Sequence, residues 1–424
     1  MFWKKKGDIE MYDELIIITK HFPFNNGETP AESFLENEIF CFAEKAKKIK
    51  VFACDAKNDT IPISKLPENA EAFGLRDCNL NIQKIKALFN GLKYLFKKDI
   101  AISDEYKRLD SFKKRMFLLY FAGKSDIKYS SIIKNIGNIN NKKVLIYNFW
   151  FFDSARTAVL LKSKLSENND VVEYSRAHRY DLYSEENSLN YLPLRRWLVE
   201  NTDYVFPCSE DGRNYLLKDF SDYDRKIIVS FLGTVDHGVQ KKKQKELTII
   251  SCSRIVPVKR IERIISALRI LDEKKVSLKW IHFGDGDMRQ FLTEQAKNLK
   301  NIKVEFFGNI KNSDLMKMYE ENYYKCFVNV SESEGLPISI MEALSFGIPV
   351  IATDVGGTSE IVKEGKNGFL LKKDFTDDEL ADRILNIVNC DESLYNSLRV
   401  SARRIWENNF EYKNNINKLF ENIK

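Results

Sequence analysis

Residues 326–354 read Cys326-Phe-Val-Asn-Val-Ser-Glu-Ser-Glu-Gly-Leu-Pro-Ile-Ser-Ile-Met-Glu-Ala-Leu-Ser-Phe-Gly-Ile-Pro-Val-Ile-Ala-Thr-Asp354, and this stretch decides the fold. Cys326 to Val330 is a short apolar run fit for a buried parallel strand. Gly335 allows a sharp turn or close approach to a ligand. Pro337 suits the first helical position, where a missing N–H costs nothing. Leu336, Ile340, Ala343 and Leu344 then form an apolar stripe at helical spacing. Gly347 stops the helix, and Pro349-Val-Ile-Ala opens the next strand. A helix N-terminus at the carboxyl ends of parallel strands holds anions, through free N–H groups and the positive dipole end. Glu334 sits just before that end and Glu342 lies inside the helix. A carboxylate at Glu334 either caps the helix or serves a ligand.

The same alternation extends in both directions. Upstream of a polar, lysine-rich linker at 233–246, strands are expected at 15–19, 50–54, 144–150, 171–175, 204–207 and 227–230, with helices between them. Downstream, strands at 247–251, 276–283 and 302–307 precede the opening stretch, and Gly368-Phe-Leu-Leu follows it. Two successive β/α runs imply an α/β protein of two doubly wound, Rossmann-like domains facing a cleft. The expected division is 1–240, 241–405 and a terminal helix at 406–424, with a basic helical insertion at about 82–136.

Composition narrows the class. The chain has 424 residues, 44% of them hydrophobic and 30% charged, as in a water-soluble globular protein of two domains. No apolar run approaches the ~20 residues of a membrane helix. Met1-Phe-Trp-Lys-Lys-Lys leads into no apolar core, so no signal peptide is expected. Seven cysteines without a Cys-x-x-Cys pair suit a reducing cytoplasm, and four histidines without ligand spacing argue against a metal centre.

The formal charge of +6 comes wholly from the first part, since acids and bases balance over residues 251–424. Basic residues are densest over 84–143, interleaved with bulky apolar ones, as in Ala87-Leu-Phe-Asn-Gly-Leu-Lys-Tyr-Leu-Phe-Lys-Lys98. Such a segment either lies on an anionic membrane surface or packs its apolar side on its own domain. No nucleic-acid module is present, so nucleic acid is not an expected partner.

The spacing Glu334-x7-Glu342, followed by Ala-Leu-Ser-x-Gly-x-Pro-Val-Ile-Ala-Thr-Asp-x-Gly-Gly and Glu360-Ile-Val, resembles the signature of glycosyltransferase family 4, retaining enzymes of GT-B architecture. The resemblance covers about residues 245–370. Ser253-Arg254-Ile-Val-Pro-Val-Lys259 looks like the family's arginine and lysine on the donor diphosphate. Phe283-Gly284-Asp-Gly286 looks like its glycine turn, and Phe307-Gly308-Asn309-Ile like its turn near the nucleobase. The resemblance implies Glu334 on the donor sugar and Glu342 on the ribose, with Gly335, Leu336 and Pro337 lending the helix end. It also implies Gly27, in a glycine loop after the first strand, and His178 against the donor sugar. Glu28 departs from the family's double-glycine loop. Arg176, Arg179 and Asp181 are candidates for shaping an acceptor pocket, whereas Asp285 and Asp354 suit turns and caps.

The implied activity is transfer of a hexose from a nucleotide sugar, UDP-linked in preference to GDP-linked, to a glycan or lipid-linked glycan in capsule, exopolysaccharide or O-antigen assembly. No cofactor and no metal are expected. The implied location is the cytoplasm, with peripheral association at the inner face of the cell membrane. The alternatives are a catalytically silent nucleotide-sugar-binding scaffold and another GT-B enzyme, such as a sugar-nucleotide epimerase or a phosphorylase.

Overall fold

The computed structural model describes residues 11–24, 32, 34–57, 61–97, 99–240 and 246–422. It divides into two compact units: residues 1–230 with 416–424, and residues 231–415.

The first unit is built on six strands: β1 (Tyr12–Thr19), β2 (Ala46–Lys57), β3 (Ala70–Arg76), β4 (Lys143–Asn148), β5 (Asp170–Ala177) and β6 (Tyr204–Pro207). They pair in parallel in the order β3-β2-β1-β4-β5-β6. Leu15, Ile16, Ile17 and Ile18 are all buried, because helices cover both faces of a parallel sheet. The sixth strand differs from expectation. Residues 227–230 run beside β6 through an isolated bridge, Val205 to Ile227, and through the N–H groups of Ile228 and Ser230, but form no strand of their own. The edge position belongs to β3 instead. Its Ala-Glu-Ala-Phe-Gly-Leu is half-buried throughout, so it carries neither an apolar run nor a clean alternation.

Between β3 and β4 lies the helical insertion, with helices Leu80–Leu92, Ile100–Arg108 and Phe112–Asn135. The first and last pack backbone to backbone. A Cβ on Gly91 would stand 1.9 Å from the carbonyl oxygen of Leu119. Leu118, Leu119, Phe121 and Ala122 are buried in this unit's core. Lys124 and Lys128 also turn inward, and Lys128 Nζ lies 2.7 Å from Asp153 Oδ2. The chain end returns to this unit in helix Tyr412–Asn422, where Phe420 meets the rings of Phe42 and Tyr12. Ile423 lies outside the described residues.

The second unit repeats the plan with β7 (Thr248–Cys252), β8 (Leu278–Phe283), β9 (Ile302–Gly308), β10 (Cys326–Asn329), β11 (Val350–Thr353) and β12 (Gly368–Leu371). The order is β12-β11-β10-β7-β8-β9, again all parallel. It begins ahead of the expected 240/241 boundary. The start of the linker is bound into the unit: Thr234 Oγ1 accepts from the Trp406 indole at 2.7 Å, and Asp236 pairs with Arg403 at 2.6 Å. The return to the first unit falls at 415/416, beyond the expected 405/406.

Candidate active site

Strand order locates the site. From β7 the chain steps outward through β8 and β9, then returns to the other side of β7 and steps away through β10, β11 and β12. The loops after β7 and β10 therefore diverge at a switch point, where open α/β sheets leave a crevice for ligands. Arg254 and Lys259 lie on the first of these loops, and Glu334 to Pro337 on the second.

The two loops are bonded together. Glu332 N–H donates to the Val258 carbonyl at 2.8 Å. Arg260 donates from Nε to the Val330 carbonyl at 2.8 Å and from Nη1 to the Lys373 carbonyl at 2.7 Å. Lys259 Nζ meets Glu334 Oε1 at 2.6 Å, and Asn329 Nδ2 donates to the same oxygen at 3.2 Å. Both partners of the ion pair are largely shielded from solvent. Glu334 thus makes no cap for the helix behind it. That helix runs Ile338–Ser345, with Pro337 as the N-cap in extended conformation rather than in the first helical turn. No side chain caps it, so its leading N–H groups remain available.

Two glycines hold this geometry. Gly356 has φ +53°, and a Cβ there would stand 2.0 Å from the Glu334 carbonyl oxygen. Gly357 N–H donates to the Gly335 carbonyl at 2.8 Å. The Gly-Gly after β11 is thus the floor on which the Glu334 loop rests. Gly284, with φ +130°, lets the β8 turn close on the β7 loop, where a Cβ would meet the Ser253 carbonyl oxygen at 1.9 Å. Asp285 serves that turn, accepting from Gly286 N–H and pairing with Arg289.

Glu342 is half-buried in helix Ile338–Ser345, and burial pushes its carboxyl up to about 7. Asn312 Nδ2 donates to its Oε1 at 2.7 Å and opposes that rise. The remaining expected residues are less engaged. Arg254 is exposed, and its guanidinium has no hydrogen bond or ion pair among the described residues. Asn309 is exposed after β9, two strands from the switch point, and no bond among the described residues ties it to Lys259 or Glu334. Leu336 is buried under the loop. Among the described residues no three His, Cys, Asp or Glu side chains gather as a metal ion requires.

In the first unit the switch point lies between β1 and β4. Gly27 and Glu28, expected there, lie outside the described residues. Glu32 follows, at φ +73°. Its carboxylate accepts from the N–H groups of Lys20, His21 and Phe22, each at 2.8 Å, and from the Trp150 indole at 2.5 Å. His178, directly after β5, stands against the rings of Phe149 and Trp150 at 4.6 and 4.9 Å. Among the described residues both its ring nitrogens are buried without a hydrogen-bond partner, and burial holds its pKa well below the ordinary value. It is therefore a neutral ring with unmet polar atoms, as at a ligand site.

Its neighbours are structural. Arg176 is fully buried, and its Nη1 pairs with Glu38 at 2.6 Å while Nη2 reaches the Ser230 hydroxyl. Asp181 is buried and accepts from the N–H groups of Phe151 and His178, both at 2.6 Å. Arg179 pairs with Glu186. Arg176 and Asp181 thus brace the loop that carries His178 rather than line a pocket. Arg260, Asn312, Asn329 and Glu32 had no sequence signal of their own. The strand order alone marks the loops on which Arg260 and Glu32 sit and the strand end at Asn329.

Residues 234–405 match the model of "Glycosyl transferases group 1". That span includes Arg254, Lys259, Gly284, Asn309, Glu334 and Glu342, and lies within the second unit. Among sequence relatives, the poly(ribitol-phosphate) alpha-N-acetylglucosaminyltransferase of Staphylococcus aureus is 28% identical over 46% of this chain and 39% of its own length. The O-antigen biosynthesis glycosyltransferase WbnH of Escherichia coli is 27% identical over 51% of this chain and 60% of its own. The chain thus spans less than two thirds of either relative. Similarity of structure reaches further. S. aureus TarM aligns over 98% of this chain and 100% of its own, with a TM-score of 0.69 at 16% identity. Anabaena HepE, solved with UDP-glucose, aligns over 96% and 98%, with a TM-score of 0.57 at 16% identity.

The architecture is GT-B. In this GT-B chain the matched family model falls on the second unit, whereas His178 belongs to the first.

Proposed function

We propose that the chain is a retaining glycosyltransferase of family 4, moving a sugar from a nucleotide sugar bound by the second unit to a glycan acceptor bound by the first. The observation that carries this reading is the Lys259–Glu334 pair at the switch point of a unit that matches glycosyl transferases group 1. A nucleotide sugar leaves behind a diphosphate whose charge grows as the glycosidic bond breaks. Arg254 forks its oxygens, Lys259 supplies a point charge, and the leading N–H groups of helix Ile338–Ser345 add the helix end. With these charges in place, the reaction calls for no metal.

Glu334, released from Lys259 by the incoming phosphate, accepts from hydroxyls of the donor sugar. Glu342 accepts from the ribose, held in place by Asn312. His178, neutral and with both nitrogens unmet, takes a sugar hydroxyl. Retention follows if the acceptor attacks from the face the phosphate leaves, with a phosphate oxygen taking the proton. The preference for UDP is supported by the TarM and HepE structures, whose names include UDP. An acceptor in surface-polysaccharide assembly is supported by the relatives named for O-antigen biosynthesis and for poly(ribitol-phosphate).

The test is release of nucleotide from a panel of UDP- and GDP-sugars, with and without glycan acceptors. UDP release from one donor is the expected result. If the folded chain neither transfers nor hydrolyses any donor, the scaffold reading replaces this one.

A further inference from the structure

The helical insertion has two kinds of surface. Helix Phe112–Asn135 is packed into the first unit, and its Lys124 and Lys128 are neutralised inside by Asp55 and Asp153. The basic segment 84–143 is therefore not one continuous outer face. Helix Leu80–Leu92 is different. It turns Gln83, Ala87 and Gly91 inward, at helical spacing, against the longer helix. On the opposite side Ile82, Ile85 and Phe89 form an outward stripe, and Leu95 and Phe96 of the following turn extend it. Phe89 is 69% exposed and Phe96 is 91% exposed. An amphipathic helix normally buries its larger apolar face, and here a second one is left in water.

Charge identifies what covers it. From Leu80 to Lys98 the sequence has five lysines and no Asp or Glu. Lys86 and Lys93 reach Asp77 and Asp126, while Lys84 and Lys97 have no ion pair among the described residues. A second copy of the same face would bring lysine against lysine. An anionic bilayer meets both requirements, taking the apolar stripe into the headgroup–acyl boundary and the lysines among its phosphates. No helix of the described residues is long and apolar enough to cross a membrane, so the contact is with one leaflet.

We infer that the outward face of residues 80–97, centred on Ile85, Phe89 and Phe96, docks the chain on an anionic membrane surface. This holds whichever sugar is transferred and does not depend on the donor site.

The test is co-sedimentation of the full chain with vesicles of phosphatidylcholine, with and without phosphatidylglycerol. Wild type is expected to bind the phosphatidylglycerol vesicles, and far less the neutral ones. The double substitution Ile85→Glu/Phe89→Glu removes two apolar groups from the interface and adds two repelled charges, so binding should fall ~10-fold or more. Val400→Glu, at an exposed apolar position in the second unit, is the matched control and should bind as wild type. If the double variant melts early, Phe96→Ser asks the same question at the most exposed position. Three outcomes would overturn the inference: no wild-type binding to anionic vesicles, equal binding by the outward-face variants, or a wild-type dimer in light scattering that these substitutions dissociate.

Discussion

Lys259 Nζ and Glu334 Oε1 lie 2.6 Å apart, across two loops that leave the sheet on either side of its switch point. The cation suited to a diphosphate and the carboxylate suited to sugar hydroxyls are thus each other's partners. Under the proposed function, exchange of that pair for contacts to a donor would leave neither charge alone, since the phosphate would take the lysine as the sugar takes the carboxylate.

Lys259→Met keeps the length of the side chain and removes its charge. Loss of one preorganised charge at a leaving group costs on the order of 10²- to 10³-fold in kcat. Both partners are largely shielded, so leaving Glu334 with Asn329 alone should also lower the melting temperature. Steady-state nucleotide release and a thermal melt check both. Unchanged kcat would remove Lys259 from the chemistry.

Gly356→Ala touches no ligand. Its Cβ has no room beside the Glu334 carbonyl, and its φ of +53° disfavours alanine, so the Glu334 loop must move. The expected outcome is a ~10-fold or larger fall in kcat/KM, because misplacement by an ångström is enough to lose that much. Gly365→Ala is the comparison, with φ +68° but open space around its Cβ. It should cost stability alone.

If Glu342 accepts from the ribose as proposed, donor binding depends on pH. With its carboxyl near 7, the ionised, hydroxyl-accepting form grows as pH rises from about 6 to 8. Donor affinity should rise over that interval, and Glu342→Gln should weaken binding and flatten the profile. Stability runs the other way. The folded chain holds a proton that the unfolded chain releases near 4.5, so this group's contribution is full below that pH and is lost as pH climbs to about 7. Titration calorimetry with UDP and urea melts at several pH values separate the two effects.

Glu38→Ala strands Arg176 in the core of the first unit. Breaking a buried pair from one side costs about 3–5 kcal/mol, which a denaturant titration reads directly. The smaller loss from removing both partners together, as in Glu38→Ala/Arg176→Met, would show that the cost lies in the orphaned guanidinium.

Much of the second unit was legible because its strands are buried on both faces and its turns demand glycine at fixed places. Residues 326–354 carry both signals at once, and the strand–turn–helix–strand order they imply is the one observed. The helix start moved by one residue because Pro337 takes the extended cap position. β3 was not legible, since an edge strand with half-exposed residues is held by backbone pairing to β2, which leaves no mark on side-chain pattern. Asn312 and Asn329 were hidden for another reason. Asn312 opens a helix and Asn329 ends β10, and each steadies a carboxylate through a tertiary contact that leaves no mark on its flanking sequence. The reading of Arg176 as a pocket residue failed because a fully buried ion pair spans 138 positions of sequence, from Glu38, and only the folded sheet brings the two together.

The donors at the end of β1 are already committed. Three successive backbone N–H groups and an indole point at one small volume, and the carboxylate of Glu32 fills it. An anion arriving at that strand finds a resident of the same sign, so it binds there only by eviction. The Glu32 carboxylate competes from within the chain at a high but finite effective concentration, which sets a threshold that a singly charged ligand meets less readily than a diphosphate.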